Sequence, residues 1–400
     1  MNIDLSEENK LIRQLAKSFA EKEILPKIKE YEQKRRFPRD IIRKMGEQGF
    51  YGACFPEKYG GSELGFLNLA IIAEEISRVS ASIGSTFNAQ SMTVPFTILN
   101  WGTEAQIEKY VPKLIGGEWI GFFGLTEPGG GSDAAGSMKT RAILDGNEYV
   151  VNGQKVFASY ASVADVGLLF AKTDPDAGHK GISAFIIQMD RPGIEAKDIS
   201  MSSLGNLTKT CELFLTDYRI PKENLLGNEG EGFKIAMNAL DYGRLTIPAR
   251  SVGLAQACLE AAIQYCNERV VGGHKIGEYQ MIQRLIADMT VEIEAARLLT
   301  YKSAYLKDKG AATTRESSHS KYFAAEVVWR AAQAVYEIYG GYALADEYPI
   351  NQYLAYAGLF RTGEGSANIQ RILIAEDALG WKDANRHNMK RRFSLKSDIF

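Results

Sequence analysis

The period of the hydrophobic pattern changes twice along this chain, and that switch constrains the fold more than any other feature. From Leu5 to about Trp119 apolar residues recur near helical spacing. Leu11, Leu15, Phe19 and Ile24 form one stripe, and Leu67 to Val79 repeat the pattern. Phe37-Pro38 and Tyr59-Gly60-Gly61-Ser62 supply turn chemistry between such segments. From about Ile120 to Gly227 the texture is that of strands. Arg141 to Leu144 and Glu148 to Val151 flank Asp145-Gly146-Asn147, a short-hairpin signal. The apolar runs Val166 to Ala171, Ile182 to Gln188 and Cys211 to Leu215 follow without helices between them. Strands spaced by turns predict an antiparallel barrel or sandwich, because a doubly wound parallel sheet needs crossover helices. From about Glu231 the helical period returns. Met281, Leu285, Ile286, Met289, Ile293, Ala296 and Leu299 make one stripe and Ala324 to Tyr339 another, with Gly340-Gly341 as a stop. Long stripes of this kind predict a four-helix bundle. They exceed what one bundle face needs, so a homotetramer or a dimer of dimers, with the bundles at its centre, is expected.

A chain of 400 residues can hold two or three domains. Its net charge of −2 offers no basic field for nucleic acid. No run approaches the roughly 20 apolar residues that span a bilayer, so no membrane partner is expected. Met1 to Lys10 is polar, with Asp4, Glu7 and Glu8, unlike a secretory or transit peptide, and the expected compartment is the cytoplasm. Cys54, Cys211, Cys258 and Cys266 form no CxxC pair, and Cys258 and Cys266 read as packed thiols. His179, His274, His319 and His387 are not at ligand spacing, so no metal is expected. Neither a G-x-S-x-G elbow nor a G-x-x-x-x-G-K-[ST] loop is present.

Three segments carry chemistry. In Thr126-Glu127-Pro128-Gly129-Gly130-Gly131-Ser132-Asp133, three glycines let the main chain approach a ligand, and Thr126 and Ser132 offer hydroxyls. The same stretch also reads as a plain inter-domain loop. In Lys155-Val156-Phe157-Ala158-Ser159, alternation puts Phe157 and Ser159 on one face, where a ring could pack a flat heterocycle and a hydroxyl could bond it. Taken locally, an ordinary strand with one buried aromatic is the favoured reading. In Arg361-Thr362-Gly363-Glu364-Gly365-Ser366-Ala367-Asn368, glycines leave Glu364 uncovered, and Ser366 and Asn368 can cap the next helix or bond a ligand. A carboxylate beside apolar ligand surface has a raised pKa, which suits a base for a weakly acidic carbon. A capped helix start with a solvated Glu is the plain alternative.

In their order and spacing these segments resemble the acyl-CoA dehydrogenase family over nearly the whole chain. The resemblance rests on "YVPKLIGGEWIGFFGLTEPGGGSD" from Tyr110, "ADVGLLFAKTD" from Ala164 and "CELFLTDYRIPKENLLGNEGEGFKIAMNALDYGR" from Cys211. It continues through "VEIEAARLLTYKSAYLKDKG" from Val291 and "GEGSANIQRILIA" from Gly363. It implies an α+β fold with a helical N-terminal domain over 1–120, an antiparallel β-barrel middle domain over 121–230 and a C-terminal four-helix bundle over 231–400. It implies FAD as cofactor, an acyl-CoA substrate and an electron-transferring flavoprotein as electron acceptor. Phe123, Leu125, Thr126 and Ser132 would line flavin and thioester. Phe157 would stand for a family Trp beside the isoalloxazine, and Ser159 would bond near its N5 and O4. Asp241 and Arg244 match positions that contact the CoA part, Arg269 one that reaches a neighbouring subunit's FAD, and Glu364 the catalytic base. Gly365 would touch substrate, and Ser366 and Asn368 the cofactor.

The departures are specific. R-x-Q-F-G of the family is Arg269-Val270-Val271-Gly272-Gly273 here, and Q-x-x-G-G-x-G is Glu337-Ile338-Tyr339-Gly340-Gly341-Tyr342-Ala343. Glu337 and Gly341 thus fall where the ADP end of FAD is served, and a Glu there would repel a pyrophosphate. An Arg-Asp pair upstream of the base is Ala355-Tyr356, and the Tyr before the base is Gly363, which leaves room for a branched, cyclic or aromatic acyl group. Where glutaryl-CoA-type members hold their substrate's carboxylate with an Arg, this chain has Gly84, which argues against a dicarboxylic acyl group. Alternatives stay open: a half-site or non-catalytic subunit of a hetero-oligomer, an acyl-carrier-protein thioester dehydrogenase, or a monooxygenase or lyase on the same fold.

Overall fold

The computed structural model describes residues 4–204 and 207–387, apart from the side chains of Ser202, Arg386 and His387. Helices fill the chain up to Ile115, a sheet occupies the middle, and helices return from Gly232. The first helix, Glu7–Phe19, starts at a capping box in which Ser6 and Asn9 exchange hydrogen bonds. Glu104–Ile115 starts the same way with Thr103 and Gln106. The helix Gly65–Val79 has no capping side chain of its own at its N-terminus. Its first free N–H groups, on Phe66 and Leu67, donate to the carboxylate of Asp308 at 2.6 and 3.0 Å, across 242 and 241 residues of sequence.

The sheet has eight strands: β1 Gly121–Gly124, β2 Arg141–Asp145, β3 Glu148–Ser159, β4 Val166–Lys172, β5 Ile182–Gln188, β6 Ile194–Asp198, β7 Thr210–Pro221 and β8 Leu225–Leu226. Their order is β6-β7-β3-β2-β4-β5-β8, with β1 parallel to β4. Pairing is otherwise antiparallel except for one β2–β4 contact at Arg141 and Lys172. Among the described residues this path is open, with β6 and β8 at its ends, so a sheet domain stands where a closed barrel was expected. The hairpin at Asp145-Gly146-Asn147 joins β2 to β3 in the register Asp145↔Glu148.

The apolar runs of β4 and β5 are buried almost to their ends. The reason is period two with cover on both faces. Leu168 and Phe170 enter a core shared with the N-terminal helices, whereas Leu169 and Ala171 enter a second core on the other face. A third core fills the C-terminal helices Thr246–Glu268, Gln280–Asp308, Thr314–Tyr339 and Ile350–Thr362. Cys258 and Cys266 lie in it as buried free thiols. The stripe on Gln280–Asp308 is only partly used: Met289, Ile293 and Ala296 are buried, but Met281 is 68% exposed. Among the described residues no helix is long and apolar enough to cross a membrane.

Candidate functional site

Glu364 stands in the short link between the helices Ile350–Thr362 and Ala367–Ala378. Its backbone is left-handed, φ 53°, and Gly365 follows at φ 90°. Such a conformation is uncommon and strained for a residue with a Cβ. Ser366 then caps the next helix, accepting from the N–H of Ile369 at 3.4 Å. This turn aims the carboxylate inward. Its Oε2 is buried without a hydrogen-bond partner. A Cβ added at Gly243 would come within 2.7 Å of that oxygen, so the space beside it depends on glycine.

Three cations surround the carboxylate, yet none makes a close ion pair with it. Arg250, on the helix Thr246–Glu268, brings Nη2 to 4.0 Å from Oε1. Lys321, on the helix Thr314–Tyr339, instead donates to the Gly365 carbonyl at 2.8 Å. Arg244 donates to the Glu364 carbonyl at 3.5 Å. Burial pushes the Glu364 pKa up, against the opposing pull of Arg250, Lys321, Arg244 and the Asn88 side chain. Burial likewise brings the Lys321 ammonium down to about 8. Asn88 opens a π-helical stretch, Asn88–Phe96, a form that recurs at functional sites. Asp241 is buried and accepts from Lys307 at 3.3 Å, leaving its Oδ1 without a partner.

The second part of the site is the end of β3. The β3–β7 register shifts between Lys155 and Ala158, and within that bulge Phe157 takes a left-handed φ of 57°. Phe157 is 59% exposed, and Ser159, two residues on, is also exposed. An aromatic residue and a hydroxyl residue are thus exposed two positions apart, a candidate shelf. Phe123, on β1, packs its ring on Phe170. Leu125 and Thr126 lead into the glycine loop, tied down by Lys155 Nζ to the Leu125 carbonyl at 3.3 Å and by Val156 N–H to the Thr126 carbonyl at 2.9 Å. Ser132, further along, is exposed. Glu127 anchors the loop, accepting from Lys155 Nζ at 2.7 Å and from the N–H groups of Lys139 and Thr140 at 2.6 and 3.0 Å. A short run of contacts joins this shelf to Glu364. Tyr160 hydrogen-bonds Ser85, whose carbonyl accepts from Arg250 at 3.1 Å, and Arg250 faces Glu364.

The remaining residues singled out from sequence lie elsewhere. Arg269 and Gly341 line an open cavity of about 560 Å³, together with Tyr265, Tyr339 and Tyr342. Tyr265 and Tyr339 stack there at 4.1 Å. Glu337 is exposed and does not line that cavity. Asn368 is exposed on the first turn of its helix and accepts from Arg371 at 2.8 Å. Sequence reasoning missed Arg250, Lys321 and Asn88. The available signal was an Arg within a small, apolar helical run, Ile247 to Ala255, where a charge must find a partner; Lys321 follows the polar Ser317 to Ser320 and gave no such signal.

Comparison with known proteins covers most of the chain. The N-terminal, middle and C-terminal domain families of acyl-CoA dehydrogenase match residues 6–118, 122–218 and 230–379. A glutaryl-CoA dehydrogenase of Desulfococcus multivorans is 42% identical over an alignment of 392 positions that covers 96% of this chain and all of that protein. A solved glutaryl-coenzyme A dehydrogenase in complex with glutaryl-CoA superposes with a TM-score of 0.93 at 41% identity, covering 98% of this chain and 99% of the other. A Mycobacterium smegmatis glutaryl-CoA dehydrogenase in complex with FADH2 superposes with a TM-score of 0.88 at 27% identity, covering 94% and 96%. The open sheet between two helical regions, the inward carboxylate on its left-handed turn and these matches together place the chain in the acyl-CoA dehydrogenase family.

Proposed function

We propose that this protein removes two hydrogens across the α and β carbons of an acyl-CoA thioester to give the trans-2-enoyl-CoA, with FAD as its cofactor. One observation carries the reading: a buried carboxylate with an unpartnered oxygen and a raised pKa, linked by a short run of contacts to an exposed ring and hydroxyl. The residues fit a flavin. Phe157 offers a flat apolar face and Ser159 a hydroxyl, and Phe123, Leu125, Thr126 and Ser132 would border the bound ring. At Gly129 and Gly131 an added Cβ would meet nothing nearer than 3.7 and 3.5 Å, so the loop backbone is open to close approach. Arg269 and Gly341 would hold the ADP end in their cavity, away from Glu337.

Bound FAD supplies the acceptor for the β hydride. The chain supplies the rest. Glu364 takes the α proton, and its burial raises its affinity for that proton. The Glu364 N–H would donate to the thioester oxygen as negative charge develops there. Lys321 and Arg244 grip the carbonyls of Gly365 and Glu364 and hold the base in place. Asp241 and Arg244 would meet the CoA side of the substrate, and Gly365, Ser366 and Asn368 complete the turn beside it. Electrons would pass to an electron-transferring flavoprotein. The exposed Met281 and Val291, 68% and 69%, favour a homotetramer or a dimer of dimers built on the C-terminal helices. The division 1–120, 121–230 and 231–400 and a cytoplasmic location belong to the same reading.

The test is a spectrum followed by a substrate panel. Pure protein given FAD should bind up to one flavin per chain, and an acyl-CoA should bleach it anaerobically. Failure to retain flavin at high FAD would remove the redox reading and leave the half-site subunit.

A further inference from the structure

The buried site holds more positive charge than it neutralises. Arg244, Arg250 and Lys321 all face Glu364, and the nearby Asp241 is engaged by Lys307. Arg250 is the least satisfied of the three. It is 5% exposed, its Nη1 donates to the Ser85 carbonyl, and its Nε is buried without a partner. Its separation of 4.0 Å from Glu364 is too long for a hydrogen bond. A guanidinium has five N–H donors and keeps its charge, so donors left unmet in a buried place are costly. An aliphatic acyl chain would meet none of them.

The surroundings are polar as well. Tyr160 and Tyr356 lie near the guanidinium, the first hydrogen-bonded to Ser85 and the second to Thr208, while Phe360 lies under its plane at 5.4 Å. Residue 84, a glycine, argued from sequence against a second carboxylate on the substrate. Here a side chain at that position is excluded sterically, because a Cβ would run into Ser77. The cation instead arrives one residue further on, at Ser85, from the helix Thr246–Glu268.

We propose that Arg250 anchors a carboxylate on the acyl group, and that the substrate is the mono-thioester of a short dicarboxylic acid. This rests on the acyl-CoA dehydrogenase reading of the site. The second carboxylate takes the free donors of Arg250 in a charge-assisted pair and balances the excess charge around Glu364. Because Arg250 lies so close to Glu364, the carboxylate sits only a few bonds from the α carbon. Arg250 acts in recognition, and Glu364 remains the base.

The test uses FAD-loaded protein with glutaryl-CoA and 2-methylsuccinyl-CoA, each beside its ω-methyl ester, and with butyryl-CoA as the plain acyl control. Anaerobic flavin bleaching and steady-state kcat and KM are read for wild type, Arg250→Met and Arg250→Lys. Wild type should favour at least one acid over its ester by about 10- to 100-fold in kcat/KM, the worth of a hydrogen-bonded charge. Arg250→Met should lose that preference, the KM for the acid rising more than the KM for the ester, and Arg250→Lys should recover part of it. The wild-type comparison stands alone even if a variant folds poorly. Esters or butyryl-CoA used as well as the acids, or a preference surviving in Arg250→Met, would overturn the assignment of Arg250 and leave the dehydrogenase reading standing. Bleaching by no thioester of either kind would remove both.

Discussion

Two buried carboxylates in this protein are treated in opposite ways. Glu127 and Glu364 both lie beside cations, and burial alone would raise both. Glu127 receives three close donors, at 2.6, 2.7 and 3.0 Å, and the Lys155 charge with these bonds outweighs burial and holds its pKa below the usual range. Glu364 has three cations around it but no close pair, and burial wins. The difference lies in contact distance, not in the number of charges. Bonds at hydrogen-bond length fix Glu127 as a strut for the glycine loop, whereas charges held back at the turn's carbonyls leave Glu364 free to accept a proton.

The largest test of this contrast is Glu364→Gln. It keeps shape but cannot take the α proton, so flavin reduction by a substrate should slow by about 10²–10⁴-fold while flavin binding persists. Stopped-flow bleaching measures it, and a near wild-type rate would assign the base elsewhere. Next is Lys155→Met, which leaves Glu127 buried without its cation. Loss of one partner of a buried pair costs about 3–5 kcal/mol, and urea unfolding should show it. A loss under 1 kcal/mol would mean that the two N–H donors suffice.

The subtlest test is the sign of the pH dependence. The folded pKa of Glu127 is lowered from 4.5, so its contribution to stability is present above 4.5 and is lost as pH falls through the folded value. The folded pKa of Glu364 is raised from 4.5, so its contribution is present below 4.5 and is lost as pH rises through the folded value. Glu127→Gln should therefore be less stable than wild type near neutrality, with a gap that closes in acid. Glu364→Gln should gain on wild type as pH rises from 4 to 8. Melting curves across that range that move in parallel for both variants would erase the distinction.

Legibility in the sequence followed the distance over which each feature is built. Local period gave the helices, and unbroken apolar runs gave β4 and β5, whose alternation between two cores only the structure shows. The turn at Glu364 was legible for the same reason: two glycines and a capping Ser lie within four residues. Its electrostatics were not, since Asn88, Arg250 and Lys321 meet it only through tertiary packing. The shelf at Phe157 was half legible. Alternation put it on the face of Ser159, but the bulge that turns its φ positive arises from pairing with β7. Turn spacing left barrel and sandwich open, because spacing does not say which edges meet, and the resemblance implied the barrel; the described pairings leave β6 and β8 at the ends.

The carboxylate of Asp308 at the start of the helix Gly65–Val79 has a consequence for the order of events on the ribosome. The N–H groups of Phe66 and Leu67 receive that partner only after another 242 residues have been made. At about 5–20 residues per second that is a wait of roughly 10–50 s. The same helix is buried against Thr246–Glu268, and Ala304 belongs to the core that it enters. The amino-terminal third of the nascent chain therefore emerges with an apolar helix that it cannot cover by itself. Until the carboxy-terminal half arrives that helix lacks part of its cover, and a fragment ending near residue 230 should aggregate rather than fold.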